Sequence, residues 1–89
     1  MLTKVRHLQP IGGYRLAVEF SDGSHGTHDF AGVVGATGPM VAPLRDETCF
    51  ARVFLDLGAP TWPNGFDVAP EWLRREMIAA GELHRDAAE

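Results

Sequence analysis

Two histidines and an aspartate are the residues whose types could do metal chemistry. His25, His28 and Asp29 lie within five positions of the 89-residue chain. On a helix, an i, i+3 histidine pair could place two imidazoles on one zinc ion. The run "SHGTHDF" is typical of a strand, whose successive side chains point to opposite faces, so the two imidazoles should diverge. Adding His84 and Cys49 produces no recognised zinc spacing, and we predict no metal site and no cofactor.

Nucleophilic and acid-base chemistry have equally little support. Cys49 is the single cysteine, and its place in a short predicted helix favours a structural thiol over a nucleophile. The aspartates are dispersed, and most of them lie at predicted turns and caps, so no general acid and base pair can be nominated. The run "GVVGATG" matches neither GxGxxG nor a Walker sequence. We therefore predict no catalytic residue.

The stretch "PTWPNGFDVAP", residues 60–70, is the most constrained part of the chain. Pro63 fixes its own φ and biases Trp62 toward an extended conformation. Gly65 tolerates a positive φ, so a tight reversal is expected there. Pro70 suits the first turn of a helix, where its missing N–H would be unpaired in any case. The stretch predicts a strand end, a reversal and a helix start.

Two interpretations of this stretch remain open. In the structural one, Trp62 covers the edge of the core against Phe66 or Trp72. In the functional one, Trp62 rims a small groove with two polar residues of the same loop, and a carboxylate from the third predicted strand adds to it. The candidate ligand- or partner-binding residues are Trp62, Asn64, Asp67 and Asp29.

The first third of the chain predicts an antiparallel meander. The run "YRLAVEF" at positions 14–20 alternates between apolar and other residues, as in a half-buried strand. The preceding "LTKVRHL" and the following "SHGTHDF" are predicted as its neighbours. Asp22-Gly23 signals a two-residue hairpin between the second and third strands. Residues 2–30 should therefore form three antiparallel strands.

The rest of the chain predicts mixed elements. "AGVVGATGPMVA" favours a short helical turn or a loop, and Asp46 is the expected N-cap of a helix from Glu47 to about Arg52. "VFLDL" predicts a fourth strand with Val53, Leu55 and Leu57 on one face, and "TW" a very short fifth strand.

The last predicted element is an amphipathic helix. Trp72, Leu73 and Met77 follow helical spacing from about Pro70 to Ala80, and Gly81 should stop the helix. We predict one domain over residues 1–81 and a frayed or helical tail over 82–89. The predicted fold is α+β: a small antiparallel sheet of four to five strands, one short helix and one C-terminal amphipathic helix.

Composition limits the classes of partner. Eight basic residues against 12 acidic ones leave a net charge of −4, and the basic residues are scattered, so this chain alone should not bind nucleic acid. No apolar run approaches the roughly 20 residues of a membrane span, and the N-terminus is unlike a signal peptide. A lone cysteine suits a reducing compartment, so we expect a cytoplasmic protein that does not enter membranes.

Several motifs in order resemble one family. They are "V-x-x-L-x-P", "YRLAVEFSDG", "GPMVAPLRDETCF" and "LGAPTWPNGFDVAPEWL", and together they span about Lys4 to Leu73. This pattern is similar to the small bacterial family known as domain of unknown function 2442, although many members place a tyrosine where this chain has Arg74. The resemblance implies an α+β fold with an antiparallel sheet and no established activity. It also implies a second small protein encoded nearby, in a suspected toxin and antitoxin pair.

Two function hypotheses follow. The first is a non-enzymatic protein-binding or regulatory module that homo-oligomerises or docks onto a small protein partner, as the antitoxin-like half of a pair. The alternative is a small enzyme or ligand-binding domain that uses a groove around Trp62, Asn64 and Asp67, with Asp29 as a second carboxylate.

Overall fold

The computed structural model of the chain describes residues 3–85 and shows an α+β fold, as predicted. Within residues 3–85, three strands are followed by two short helices with a 3₁₀ turn at Ala42–Arg45 between them, and then by two short strands and a longer helix. The strands are β1 (Val5–Pro10), β2 (Arg15–Phe20), β3 (His25–Asp29), β4 (Phe54–Asp56) and β5 (Ala59–Thr61). The helices are α1 (Ala31–Val34), α2 (Glu47–Phe50) and α3 (Pro70–Ala79).

The predicted meander is confirmed: β2 pairs antiparallel with β1 on one side and β3 on the other. Leu16, Val18 and Phe20 are buried, because alternate residues of a strand share one face. The turn after β2 differs from the prediction, since Phe20 N donates to Ser24 O (2.8 Å) and closes a three-residue loop. Gly23 takes the positive φ (91°) that this longer loop requires.

The five strands form two sheets, whereas the sequence predicted one. β4 and β5 pair antiparallel with each other. Val5 N donates to Gly58 O (2.9 Å). The turn between β4 and β5 therefore contacts the start of β1. Leu57 lies in that turn and outside β4, because Leu57 and Gly58 both have positive φ (52° and 84°). A two-residue turn of this kind places its first residue at the hairpin tip.

Trp62 lies in the core, in agreement with the structural interpretation. Its side chain is 1% exposed, and its Nε1 donates to Phe50 O (2.9 Å). Its ring centroid lies 5.6 Å from that of Phe50, 5.6 Å from Phe66 and 6.3 Å from Phe30. Such aromatic clusters carry much of the burial in small domains.

Helix α3 begins at Pro70 and ends in a Schellman motif. Gly81 has φ 72°, and Glu82 N donates to Met77 O (2.8 Å), which satisfies a carbonyl of the last turn. The chain then turns back toward β3, where His84 N donates to His25 O (2.7 Å) and His84 O accepts from His25 N (2.8 Å). Residues 82–85 of the predicted tail are thus bonded to the sheet edge, and residues 86–89 lie outside the described part of the chain.

The Pro-Leu-Arg-Asp run joins α1 to α2. Arg45 donates from Nε to Val34 O (2.8 Å) and from Nη2 to Ala36 O (2.9 Å), so it caps the C-terminal end of α1. Asp46 is the predicted N-cap of α2, because its Oδ1 accepts from Thr48 N (2.8 Å). This run has a structural role.

Asp22 ties the β2–β3 turn to the C-terminal helix. Its Oδ1 accepts from Ser24 Oγ (2.5 Å) and Ser24 N (3.0 Å), and its Oδ2 pairs with Arg74 (3.1 Å) and Arg85 (3.3 Å). Arg74 also donates to Ser24 Oγ (2.7 Å) and lies over the Phe20 ring at 5.5 Å. The Ser24 hydrogen bonds, followed by the two guanidinium groups, lower the pKa of Asp22 from 3.8 to about 2.

This lowered pKa predicts a pH-dependent contribution to stability. Because the folded-state pKa lies below the ordinary value, ionised Asp22 stabilises the fold above about pH 3.8, and the contribution is lost as pH falls toward 2. The difference in unfolding free energy between the wild type and Asp22→Asn should be largest near neutrality and shrink below about pH 4. Urea unfolding between pH 7 and pH 2.5 measures it. A difference that stays constant across this range would contradict the assignment.

Candidate functional site: the Trp72 groove

The two loop residues nearest the reversal hold it in place. The Trp62 side chain points into the core. Asn64 donates from Nδ2 to Met40 O (2.9 Å) and accepts from Phe66 N (3.1 Å) at Oδ1. Both hydrogen-bonding groups of the Asn64 amide therefore stabilise the backbone around the loop.

The two predicted carboxylates lie at the surface. The side chain of Asp67 has no hydrogen-bond or ion-pair partner within residues 3–85, and α3 has Ala69 as its N-cap with no side-chain cap, so Asp67 does not cap the helix. Asp29 accepts from Ala31 N (2.8 Å) through Oδ1, just before α1. The four candidates do not share one hollow: Trp62 and Asn64 line one near Cys49, and the two aspartates line two others.

The hollows of Asp67 and Asp29 adjoin each other, because both are lined by Val33 and Trp72. We call the pair the Trp72 groove. The hollow at the Asp67 end measures about 250 Å³ and is lined by Val33, Phe66, Asp67, Val68, Ala69 and Trp72. The hollow at the Asp29 end measures about 280 Å³ and is lined by His28, Asp29, Gly32, Val33, Trp72 and Glu76.

Local structure explains why Trp72 stands at this boundary. Leu73 is fully buried and sets the rotation of α3 about its axis. Trp72 is one position earlier, so it lies about 100° around the helix from the buried face and is only half-buried. Its ring meets His28 edge to face at 6.3 Å. The indole N–H has no hydrogen-bond partner among residues 3–85, so it is available to an acceptor.

The rim of the groove is acidic. Asp29, Asp67 and Glu76 are exposed, and neither end is lined by a lysine or arginine. His28 is committed to Glu82, since its Nδ1 lies 2.6 Å from Oε1 of that residue. Sequence patterns indicated Asp67 and Asp29 as candidate site residues but did not indicate Trp72 and Glu76, which the structure places beside them. Their i, i+4 spacing on α3 was the available signal.

A fourth and larger hollow lies on the outer face of the three-stranded sheet. It measures about 480 Å³ and includes the cross-strand row of His7, Glu19 and His25. A bulge in β1 lets both Arg6 and His7 reach Glu19, at 2.7 and 3.9 Å. The Arg6 hydrogen bond lowers the pKa of Glu19, so this carboxylate is already paired. Across residues 3–85, no group of three or more His, Cys, Asp and Glu side chains could hold a metal ion.

The tip of the β4–β5 hairpin presents an apolar side chain to water. Leu57 is 90% exposed and has a φ of 52°, a left-handed conformation in which the Cβ of an L-residue crowds the following carbonyl oxygen. Replacing Leu57 by asparagine creates an Asn-Gly turn without removing core contacts. We expect the unfolding free energy to rise by about 0.5–1 kcal/mol, measured by urea unfolding.

Leu57→Ala is the matched control for that substitution. It removes the exposed side chain but keeps a Cβ at a positive φ, so it should gain no stability. An asparagine variant no more stable than the alanine variant would show that strain at this turn is negligible.

No helix within residues 3–85 is long and apolar enough to cross a membrane. Among known families, the profile described as "Protein of unknown function (DUF2442)" matches residues 5–79, which is most of the chain. Comparison with curated proteins and with solved structures returned no match.

Proposed function

Because this chain belongs to the DUF2442 family, whose function is unknown, we propose from its own surface that it is a non-catalytic protein-binding module. The Trp72 groove is the proposed binding surface, and Asp67 and Asp29 are its binding carboxylates. The partner in this proposal is a second small protein that the chain docks onto and regulates, in an antitoxin-like role. The cytoplasmic setting stays a prediction.

The observation that carries the proposal is the half-buried Trp72 in an apolar surface hollow. Tryptophan is enriched among the residues that dominate binding energy at interfaces, because it buries a large apolar area and offers one donor. Each end of the groove, at about 250 and 280 Å³, has room for about one large side chain. A protein partner could place one side chain at each end.

The geometry around Trp62 does not favour the enzyme alternative. The Trp62 indole is buried and donates to Phe50 O. The Asn64 amide is used in hydrogen bonds to the backbone, one to Met40 O and one from Phe66 N. A catalytic groove would need these side chains to converge on substrate. In our proposal they act as positioning residues, since they set the loop that presents Asp67.

Co-purification with defined variants tests the proposal. The tagged chain, expressed in its native host, should retain a partner in stoichiometric amount. Trp72→Ala should weaken that complex by at least about 2 kcal/mol, or roughly 30-fold in affinity. Ile78→Ala is the matched control, because Ile78 is an exposed apolar residue on the same helix outside the groove. Circular dichroism checks that both variants are folded.

Asp67→Arg provides a second variant that leaves the apolar packing intact, and it too should release the partner. The proposal fails if both groove variants retain the partner as well as the wild type does. It also fails if no stoichiometric partner is recovered and the purified chain is a strict monomer at high micromolar concentration. If the chain instead forms a homodimer that Trp72→Ala disrupts, the groove is still an interface, but its partner is a second copy of this chain and not a different small protein.

A further inference from the structure

The distribution of charge in the Trp72 groove points to a specific kind of occupant. Resting on the function proposed above, we propose that the groove binds a short partner segment with one large apolar side chain flanked on both sides by arginine or lysine. The apolar side chain lies beside Trp72, and the basic residues meet the carboxylates at the two ends.

The Asp67 end of the groove is mainly apolar. Val33, Phe66 and Val68 line this hollow together with Trp72, and Asp67 is its one ionisable residue. Val68 is buried, whereas Val33, Phe66 and Trp72 are half-buried, so an apolar surface remains open to water. Covering such a surface is favourable in proportion to the apolar area that is removed from water. The space of about 250 Å³ suits one large side chain.

Carboxylates lie at both ends of the groove. Asp67 stands at one end, and Asp29 and Glu76 stand at the other, with Val33 and Trp72 shared between them. Asp67 and Glu76 have no side-chain partner within residues 3–85, and Asp29 uses only its Oδ1 in a hydrogen bond. Unpaired carboxylates at both ends favour basic residues on both sides of an apolar anchor.

Among the described residues, no lysine or arginine lines either end of the groove, and Arg15, the cross-strand neighbour of Asp29, lies outside both linings. His28, the one basic side chain lining the groove, is held by Glu82 at 2.6 Å. Arg74 is paired with Asp22 on the other side of α3, and Arg75 is exposed and lines neither end. The chain also carries a net charge of −4. An acidic segment, or a second copy of this acidic chain, would therefore meet like charge at the groove.

Peptide binding by the full chain tests this inference. The probe is a capped, fluorescent peptide with a central phenylalanine and two arginines on each side. Two controls replace either the phenylalanine by alanine or the four arginines by glutamates. In ¹H–¹⁵N spectra, the indole N–H of Trp72 should shift on addition of the basic peptide, while that of buried Trp62 serves as an internal reference. Both control peptides should bind at least about fivefold more weakly.

Charge variants and salt locate the basic residues. Asp67→Asn and Glu76→Gln should each weaken peptide binding by about two- to fivefold, as expected for exposed ion pairs, and 300 mM salt should weaken it further. Glu71→Gln is the matched control, because Glu71 is an exposed acidic residue of α3 that lines neither end. It should bind the peptide as the wild type does.

The outcomes separate this inference from the proposed function. The inference that the bound segment is basic would be wrong if the arginine and glutamate peptides bind equally well. It would also be wrong if peptide binding does not change with salt or with either charge variant. The function would then still stand if Trp72→Ala releases the co-purified partner. A Trp72 shift that grows with the concentration of the chain alone would assign the groove to a second copy and overturn the inference. If neither a peptide nor the partner shifts the Trp72 signal, both proposals fail.

Discussion

Trp62→Ala is expected to remove about 3–5 kcal/mol of unfolding free energy, the usual loss for a large aromatic residue deleted from a core. A domain of this size has a total stability of roughly 4–13 kcal/mol, so the loss is a large fraction of the total and would unfold a protein at the low end of that range. The reason is that Trp62 contacts Phe30, Phe50 and Phe66 at once and is 1% exposed.

Trp62→Phe separates packing from hydrogen bonding. Phenylalanine keeps an aromatic ring but leaves Phe50 O without its Nε1 donor and leaves part of the volume empty. We expect a loss of about 2 kcal/mol, between wild type and alanine. Urea unfolding followed by far-UV circular dichroism measures all three proteins, because the substitution removes a fluorescent probe. A wild-type stability for Trp62→Ala would contradict a core role and reopen this residue as a site candidate.

Gly26→Ala should be the most disruptive single-methyl substitution in the sheet. A Cβ at this position would lie 1.9 Å from Glu82 O and 3.0 Å from Met77 Cε. Glu82 is backbone-bonded to Met77, and His84 to His25, so the obstructing carbonyl cannot move alone. The end of α3 must lift off β3, and we expect a loss of about 3 kcal/mol or more, at the upper end of overpacking effects.

Gly32→Ala is the matched control for this prediction. A Cβ there meets nothing within 4 Å, and the residue lies in α1, where alanine is favoured over glycine. Its stability should stay the same or rise by up to about 1 kcal/mol. Hydrogen exchange supplies a local readout, since Gly26→Ala should also remove the protection of the His25 and His84 amides. Protection equal to wild type would mean that the C-terminal segment is not seated on β3.

Local patterns predicted the parts of the fold that depend on neighbours in sequence. The alternation in β2 correctly placed Leu16, Val18 and Phe20 on the buried face. Asp46 and Gly81 likewise cap and end their helices through interactions within a few residues. Such features can be predicted from sequence because they depend on hydrogen bonds and backbone angles within a few residues.

Features set by distant contacts were not predictable in the same way. The division into two sheets depends on how β1 meets the turn at Gly58, more than 50 residues away. Leu57 fitted the alternation of β4, and nothing in the sequence indicated that a leucine would take a positive φ at the tip. The size of the loop at Asp22 depends on Ser24, which bonds that carboxylate.

The two tryptophans of the chain show the same limit of prediction from sequence. Helical spacing placed Trp72 on the packed face with Leu73 and Met77, and it left Trp62 open to a functional interpretation. In the fold, Trp62 is enclosed by three phenylalanines, while Trp72 remains half-buried beside an acidic rim. Which of two tryptophans is covered depends on tertiary packing, which one sequence does not encode in a readable local pattern.

The central claim is that the Trp72 groove is the surface through which this domain binds a protein partner. The most direct measurement is a ¹H–¹⁵N spectrum of the labelled chain, free and in complex with its co-purified partner. We predict that the Trp72 indole signal and the amides of Val33, Asp67 and Glu76 shift together, while the Trp62 indole does not move. A complex that leaves these groove signals unchanged and shifts the hairpin around Leu57, or the outer sheet face, would contradict the claim.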